Sequence, residues 1–139
     1  KVDLNIPDKD NNDNNIHKKS KEELKNEKME DMIKESNISK MISDIREKSS
    51  EAFQCSIDNI WVIYQPLHVG NYVQRKDGLK NSPIVTIKAQ SGRSYEQKNA
   101  LAKALTDIIS SRLEVPTENI WIHYEEMKPQ DVWFNNQWS

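Results

Sequence analysis

Few side chains in this chain are of types that do chemistry near neutral pH. There is one cysteine, Cys55, and there are three histidines, His17, His68 and His123. Cys55 falls at the end of a helical pattern where a second, similar pattern carries Val115, so packing is its expected role. His17 and His68 stand in polar loop sequence without companion ligands, and no metal site is expected. The run Asp8-Lys9-Asp10-Asn11-Asn12-Asp13-Asn14-Asn15 lacks the glycine and terminal glutamate of a calcium loop, so it reads as solvated chain. Two charged groups remain. If Lys1 is the true terminus, its α-amine, of ordinary pKa about 7.7 to 8, can act as a base or form a Schiff base. Arg93 follows the turn Ser91-Gly92 at the start of a helix, where an arginine is either idle in water or set to grip a carboxylate bidentately.

The elements that hold these groups are legible in residues 82–127. Ile84-Val85-Thr86-Ile87 is a β-type run. After the turn, Leu101, Ala104, Leu105, Ile108, Ile109 and Leu113 recur at three- and four-residue spacing, and Pro116 ends that helix. Asn119-Ile120-Trp121-Ile122-His123-Tyr124 is strand-like again, with bulky and β-branched residues. A helical crossover makes such strands parallel and right-handed, and one helix covers only one face of the pair. The first half repeats the pattern. Asp58-Asn59-Ile60-Trp61-Val62-Ile63-Tyr64 returns 60 residues later as Glu118-Asn119-Ile120-Trp121-Ile122-His123-Tyr124, and Met41, Ile45 and Phe53 match Leu101, Leu105 and Leu113. The expectation is one domain over 1–139 of α/β (α+β) class, with tandem β-α-β units forming a four-stranded sheet that carries two helices on one face. The units are 1–73 and 82–139, the second with a C-terminal tail.

Residues 8–33 have no counterpart in the second unit and read as an insertion after the strand of Val2, Leu4 and Ile6. Within it Leu24, Met29, Met32 and Ile33 form a thin helical stripe from Ser20 onward. Ser36 or Asn37 should interrupt it before a second helix carries Ile38, Met41, Ile42, Ile45, Ala52 and Phe53. Beyond Tyr64, Pro66 and Gly70 should lead out of the sheet, with Tyr72-Val73 returning as a short edge strand. After Pro129, Trp133, Phe134 and Trp138 crowd a polar tail, which suggests packing on a neighbouring chain.

Composition agrees with an assembling domain. Only 35% of the 139 residues are hydrophobic, so part of the chain is polar extension or gains burial by association. The net charge is −2 with both signs interspersed, which argues against a nucleic-acid surface. One cysteine and no apolar run of membrane-spanning length point to a reduced, cytoplasmic setting without a membrane partner.

The strand opened by Pro83, the turn Ser91-Gly92-Arg93-Ser94-Tyr95-Glu96-Gln97-Lys98, the helix and the stretch Ile120-Trp121-Ile122-His123-Tyr124-Glu125-Glu126-Met127 together resemble the tautomerase superfamily. That group includes 4-oxalocrotonate tautomerase, macrophage migration inhibitory factor, malonate semialdehyde decarboxylase and the cis-3-chloroacrylic acid dehalogenases. The resemblance is good over 82–134, partial over 38–73 and absent over 8–33, and it is nearest to the fused long-chain, dehalogenase-like and decarboxylase-like branches. It implies a cofactor-free enzyme, a homotrimer with sites near subunit contacts, and an amino-terminal proline as acid or base. A terminal proline offers a free secondary amine, whose pKa falls when apolar walls and cations disfavour its charged form. Laying Val85 and Ile87 over Val2 and Leu4 puts Pro83 opposite the position just before Lys1, so Lys1 marks the amino-terminal position; either a proline precedes it or this member lacks one. Pro83 itself is an amide and reads as a strand opener.

By the same resemblance Arg93 binds a substrate carboxylate. Gln90 stands where the dehalogenase-like branch has a second arginine, which weighs against dehalogenation. His123 matches that branch's active-site tyrosine and can orient substrate or water, or be a packed, hydrogen-bonded strand residue. Asp131 lies near its catalytic acid, and Trp133 is a candidate for substrate binding. Two functions remain open. One is a tautomerase acting on a small 2-oxo or 2-hydroxydienoate acid; the other is a non-catalytic tautomerase-fold protein with a binding or structural role. Dehalogenase or decarboxylase activity is the weaker expectation.

Overall fold

A computed structural model of the chain describes residues 1–7, 20–67 and 82–138. Val2, Leu4 and Ile6 alternate with polar residues along β1 (Val2–Pro7), and this period of two turns all three to the buried side. The same alternation puts Val85 and Ile87 of β3 (Ile84–Gln90) on that side, while Ile84 is exposed. β1 and β3 are central and antiparallel, with Val2 opposite Ile87 and Leu4 opposite Val85. Each then pairs in parallel with its own outer strand: β1 with β2 (Val62–Leu67), and β3 with β4 (Trp121–Met127). The order β2-β1-β3-β4 is the mixed four-stranded sheet expected of two β-α-β units.

The crossovers are α1 (Lys21–Phe53) and α2 (Tyr95–Leu113), which lie against each other. Met41 and Ile45 of α1 and Leu101, Leu105 and Ile109 of α2 form one core with β1 and β3, and no helix among the described residues covers the opposite sheet face. Both helices start with a capping box, Ser20 with Glu23 and Ser94 with Gln97, which satisfies end amides that would otherwise be unpaired. They also stop in the same way. Gln54 and Glu114 adopt the left-handed conformation, and the hydroxyls of Ser50 and Ser110 donate to the carbonyls of Cys55 and Val115 at 2.6 Å in each case. These matching ends, 60 residues apart, are the repeat expressed in backbone geometry.

Four details depart from the sequence reading. No break occurs at Ser36 or Asn37, because α1 is a single 33-residue helix. Neither residue forbids helix as proline does, and Asn37 is engaged sideways: its Nδ2 donates to the Arg112 carbonyl at 2.6 Å. Beside it Arg112 pairs with Asp44 at 2.9 Å. The described part of the insertion is therefore the first stretch of α1, an exposed helical arm whose Leu24, Met29, Met32 and Ile33 all lie largely in solvent. β2 does not leave the sheet at Tyr64 but runs on through Pro66, opposite Ile6; it is an edge strand, where a missing backbone N–H costs no ladder bond. One-turn 3-10 segments, Ile57–Asn59 and Thr117–Asn119, occupy the first residues read as strand. The tail is a β-hairpin of β5 (Trp133–Phe134) and β6 (Gln137–Trp138). Its turn residues Asn135 and Asn136 both have positive φ, as tight hairpins require. The Asp/Asn run at 8–15, His17, His68 and the Tyr72-Val73 strand lie outside the described residues.

Candidate active site

The antiparallel register brings three sequence-predicted groups to one end of the sheet. Beyond Val2 opposite Ile87, Lys1 and Lys88 exchange two bonds: the Lys1 amine donates to the Lys88 carbonyl at 2.9 Å, and the Lys88 amide donates to the Lys1 carbonyl at 2.7 Å. Beyond Lys88, β3 continues through Ala89 to Gln90, opposite Glu126 and Met127 of β4. In the chain beginning at Lys1, the α-amine pKa is lowered from 8.0, chiefly by burial, with Asp3 pulling the other way.

β3 ends there at Gln90, which is exposed and opposite Met127, and the chain turns into α2. Gly92 makes the turn at φ +107°, a conformation side-chain-bearing residues rarely adopt. Ser91 donates its amide to the Met127 carbonyl at 3.2 Å, tying the turn to β4. Arg93 follows, half-buried, with its guanidinium carbon 5.0 Å from the centroid of the Phe53 ring at the end of α1. This is a cation–π seat. Because the helices are antiparallel, the end of α1 and the start of α2 meet over this end of the sheet.

Phe53 in turn meets Tyr124 of β4 edge-on, with centroids 6.3 Å apart at 80°. Lys98 Nζ lies 4.8 Å from the centroid of the Tyr124 ring and pairs with Glu126 at 3.1 Å. A cavity of about 260 Å³ opens between α2 and β4, floored by Ile87, Ala102 and Ile122 and bordered by Lys98 and Tyr124. The Tyr124 phenol pKa is raised, first by burial, with Lys98 and Arg93 opposing. The apolar recess bordered by the Tyr124 phenol, with the Arg93 guanidinium on the same Phe53 ring as Tyr124, suits a small organic anion.

The other candidates lie elsewhere in the protomer. His123 is opposite Thr86 and exposed on the sheet face that carries no helix, the face away from Arg93. Asp131 is exposed in the 3-10 turn Pro129–Asp131, and Trp133 stacks edge-on with Trp138 at 5.3 Å. The hairpin is not remote, since Phe134 meets Trp61 at 6.3 Å and Trp61 accepts the Val2 amide at 2.8 Å. Cys55 is half-buried near the amine, its carbonyl occupied by Ser50. Among the described residues no three His, Cys, Asp or Glu side chains converge as metal ligands, and no helix is long and apolar enough to cross a membrane. The sequence reading missed Phe53 as the seat of Arg93, and Lys98 and Tyr124 as its neighbours. The strand alternation carried a signal for Tyr124, since it shares the helix-side face with Ile122. Nothing local marked Phe53.

Residues 83–135, the second unit almost entire, match the family model described as "Tautomerase enzyme". A probable tautomerase of Listeria innocua is 49% identical over 49 residues, which cover 35% of this chain and 80% of that protein. Among solved structures, a wild-type fused 4-OT described as an asymmetric trimer aligns with TM-score 0.71 at 15% identity, over 98% of this chain and 93% of its own. Malonate semialdehyde decarboxylase aligns with TM-score 0.62 at 14% identity, over 96% of this chain and 89% of its own. At these identities the structural likeness is one of fold.

Proposed function

The chain belongs to the tautomerase family, and from that premise we propose that it is a cofactor-free isomerase that ketonises a small 2-hydroxydienoate or related 2-oxo acid. The amine at the amino-terminal position takes the enol proton and returns a proton to carbon. Arg93 holds the carboxylate, while Gln90 at the end of β3 adds a neutral polar contact. The observation that carries the reading is the convergence at one sheet end of the Lys1 amine, the Gln90–Arg93 turn and the Phe53 ring under the guanidinium. In a chain that begins at Lys1, burial lowers the amine pKa, which favours the free base that proton abstraction needs.

The same reading takes the working unit as a homotrimer. It is supported by the trimeric fused 4-OT of like fold and by the apolar side chains on the helix-free sheet face. His123, Asp131 and Trp133 would then approach a neighbouring protomer's amine rather than their own. The test is spectrophotometric ketonisation of 2-hydroxymuconate and phenylenolpyruvate, together with the mass of the native amino terminus. Turnover abolished by blocking the terminal amine supports the proposal. No turnover with a free terminal proline moves the assignment to a non-catalytic, binding member of the family.

A further inference from the structure

Two buried polar atoms beside the proposed carboxylate site have no hydrogen-bond partner among the described residues: Arg93 Nε and the Tyr124 hydroxyl. Both side chains rest on one ring, Phe53. A buried donor without an acceptor weakens a fold, so such a group calls for an explanation beyond packing. Packing supplies none here. Phenylalanine at 124 would keep the edge contact with Phe53 and the Lys98 ammonium over the ring, and would leave no orphan. A tyrosine phenol, of ordinary pKa about 10, is protonated at neutral pH and offers a proton to an acceptor. Arg93 Nε is likewise a donor. The group each lacks is therefore an acceptor, and the Arg93 guanidinium, seated on the same Phe53 ring, suits an anionic one, while the Lys98 charge is already paired with Glu126.

We infer that Tyr124 is a second substrate-binding residue, whose hydroxyl donates to the 2-oxygen of a 2-oxo or 2-hydroxy acid while Arg93 holds the adjacent carboxylate. The inference rests on the carboxylate role of Arg93. The 2-oxygen is also where negative charge collects when an enol loses its proton, and a fixed donor there stabilises that charge without transferring a proton of its own.

The experiment compares two probe acids that differ only in that oxygen, 2-oxobutanoate and butanoate, by calorimetry on the full chain. The wild type should bind 2-oxobutanoate about tenfold more tightly, as for one hydrogen bond. Tyr124→Phe should erase that preference and leave butanoate unchanged, with the ligand-free variant melting no lower than the wild type. Arg93→Ala should weaken both acids alike. A Tyr124→Phe variant that keeps the preference, or that melts lower and loses both acids in parallel, overturns the inference, as does a wild type that binds neither. Loss of the preference in a protein that ketonises no dienol would support the inference while refuting the tautomerase assignment, so the two failures are distinguishable.

Discussion

Arg93 and Phe53 sit on different repeats, yet the guanidinium carbon lies 5.0 Å from the ring centroid. The contact exists because α1 ends where α2 begins, over the sheet end that carries the Lys1 amine. Replacing Phe53 by Leu keeps an apolar side chain but removes the ring face. A cation–π contact of about 0.5 to 2 kcal/mol then no longer aims the guanidinium, and KM for a carboxylate substrate should rise several-fold with kcat changed less. In an Arg93→Ala background the same substitution should add little, because the two effects share one interaction. Additive losses in that cycle would show that Phe53 acts independently of Arg93.

Arg93→Ala alone should cost about 1.5 to 3 kcal/mol of interaction with a charged group, or roughly ten- to a hundredfold in kcat/KM. Because Gln90 is neutral, haloacrylate hydrolysis should be feeble beside ketonisation. Unchanged kinetics of Arg93→Ala on 2-hydroxymuconate and phenylenolpyruvate would remove the carboxylate assignment.

The fold was largely legible because its signals are local and occur twice. The alternation in β1 and β3 and the apolar spacing of α2 each name their own buried face, and Val2, Leu4, Ile6, Val85, Ile87, Leu101, Leu105 and Ile109 are buried, whereas the repeated strands leave Trp61 and Trp121 exposed. The misreadings were set by distant partners or by strand position. Asn37 continues its helix with a contact from Arg112, 75 residues away, and Pro66 is tolerated only because β2 is an edge. The hairpin was readable from Asn135-Asn136, whose residue type accepts positive φ. The site was legible as Arg93 but not as its setting, since Phe53 and Tyr124 reach it from other elements.

The arm at the start of α1 should be dispensable for folding. Its Leu24, Met29, Met32 and Ile33 are 48 to 68% exposed, so removing it forfeits little burial. Replacing residues 8–33 by a short turn should leave a cooperative urea transition, with stability changed by no more than about 1 kcal/mol beyond the lost cap. A variant without a cooperative transition would show that the arm contributes to the core.

In a chain that begins at Lys1, burial of the α-amine has a definite sign in pH. Its folded pKa lies below 8.0, so between the two values the unfolded chain binds more protons than the folded one. Stability should therefore rise with pH toward about 8 and then level off. Ketonisation should rise over a window displaced to lower pH, following the free amine. Acetylating the terminus should abolish both dependences; a rate profile unmoved by acetylation would exclude the amine as the base.

The helix-free sheet face carries the case for assembly. Ile63, Ile84 and Trp121 are 45, 38 and 64% exposed there, and Trp61 at the same face is 58% exposed. Large apolar groups gathered on one face mark a surface that association would cover. Sedimentation at micromolar concentration should find a homotrimer. Trp121→Asp should dissociate it without unfolding the protomer, because Trp121 lies outside the core formed by the helices and the inner strand faces. If sites near subunit contacts draw His123, Asp131 or Trp133 from a neighbour, activity should fall with dissociation and not with protomer stability. A wild type that sediments as a stable monomer would reject the trimer, and full activity in a monomeric Trp121→Asp variant would confine the site to one chain.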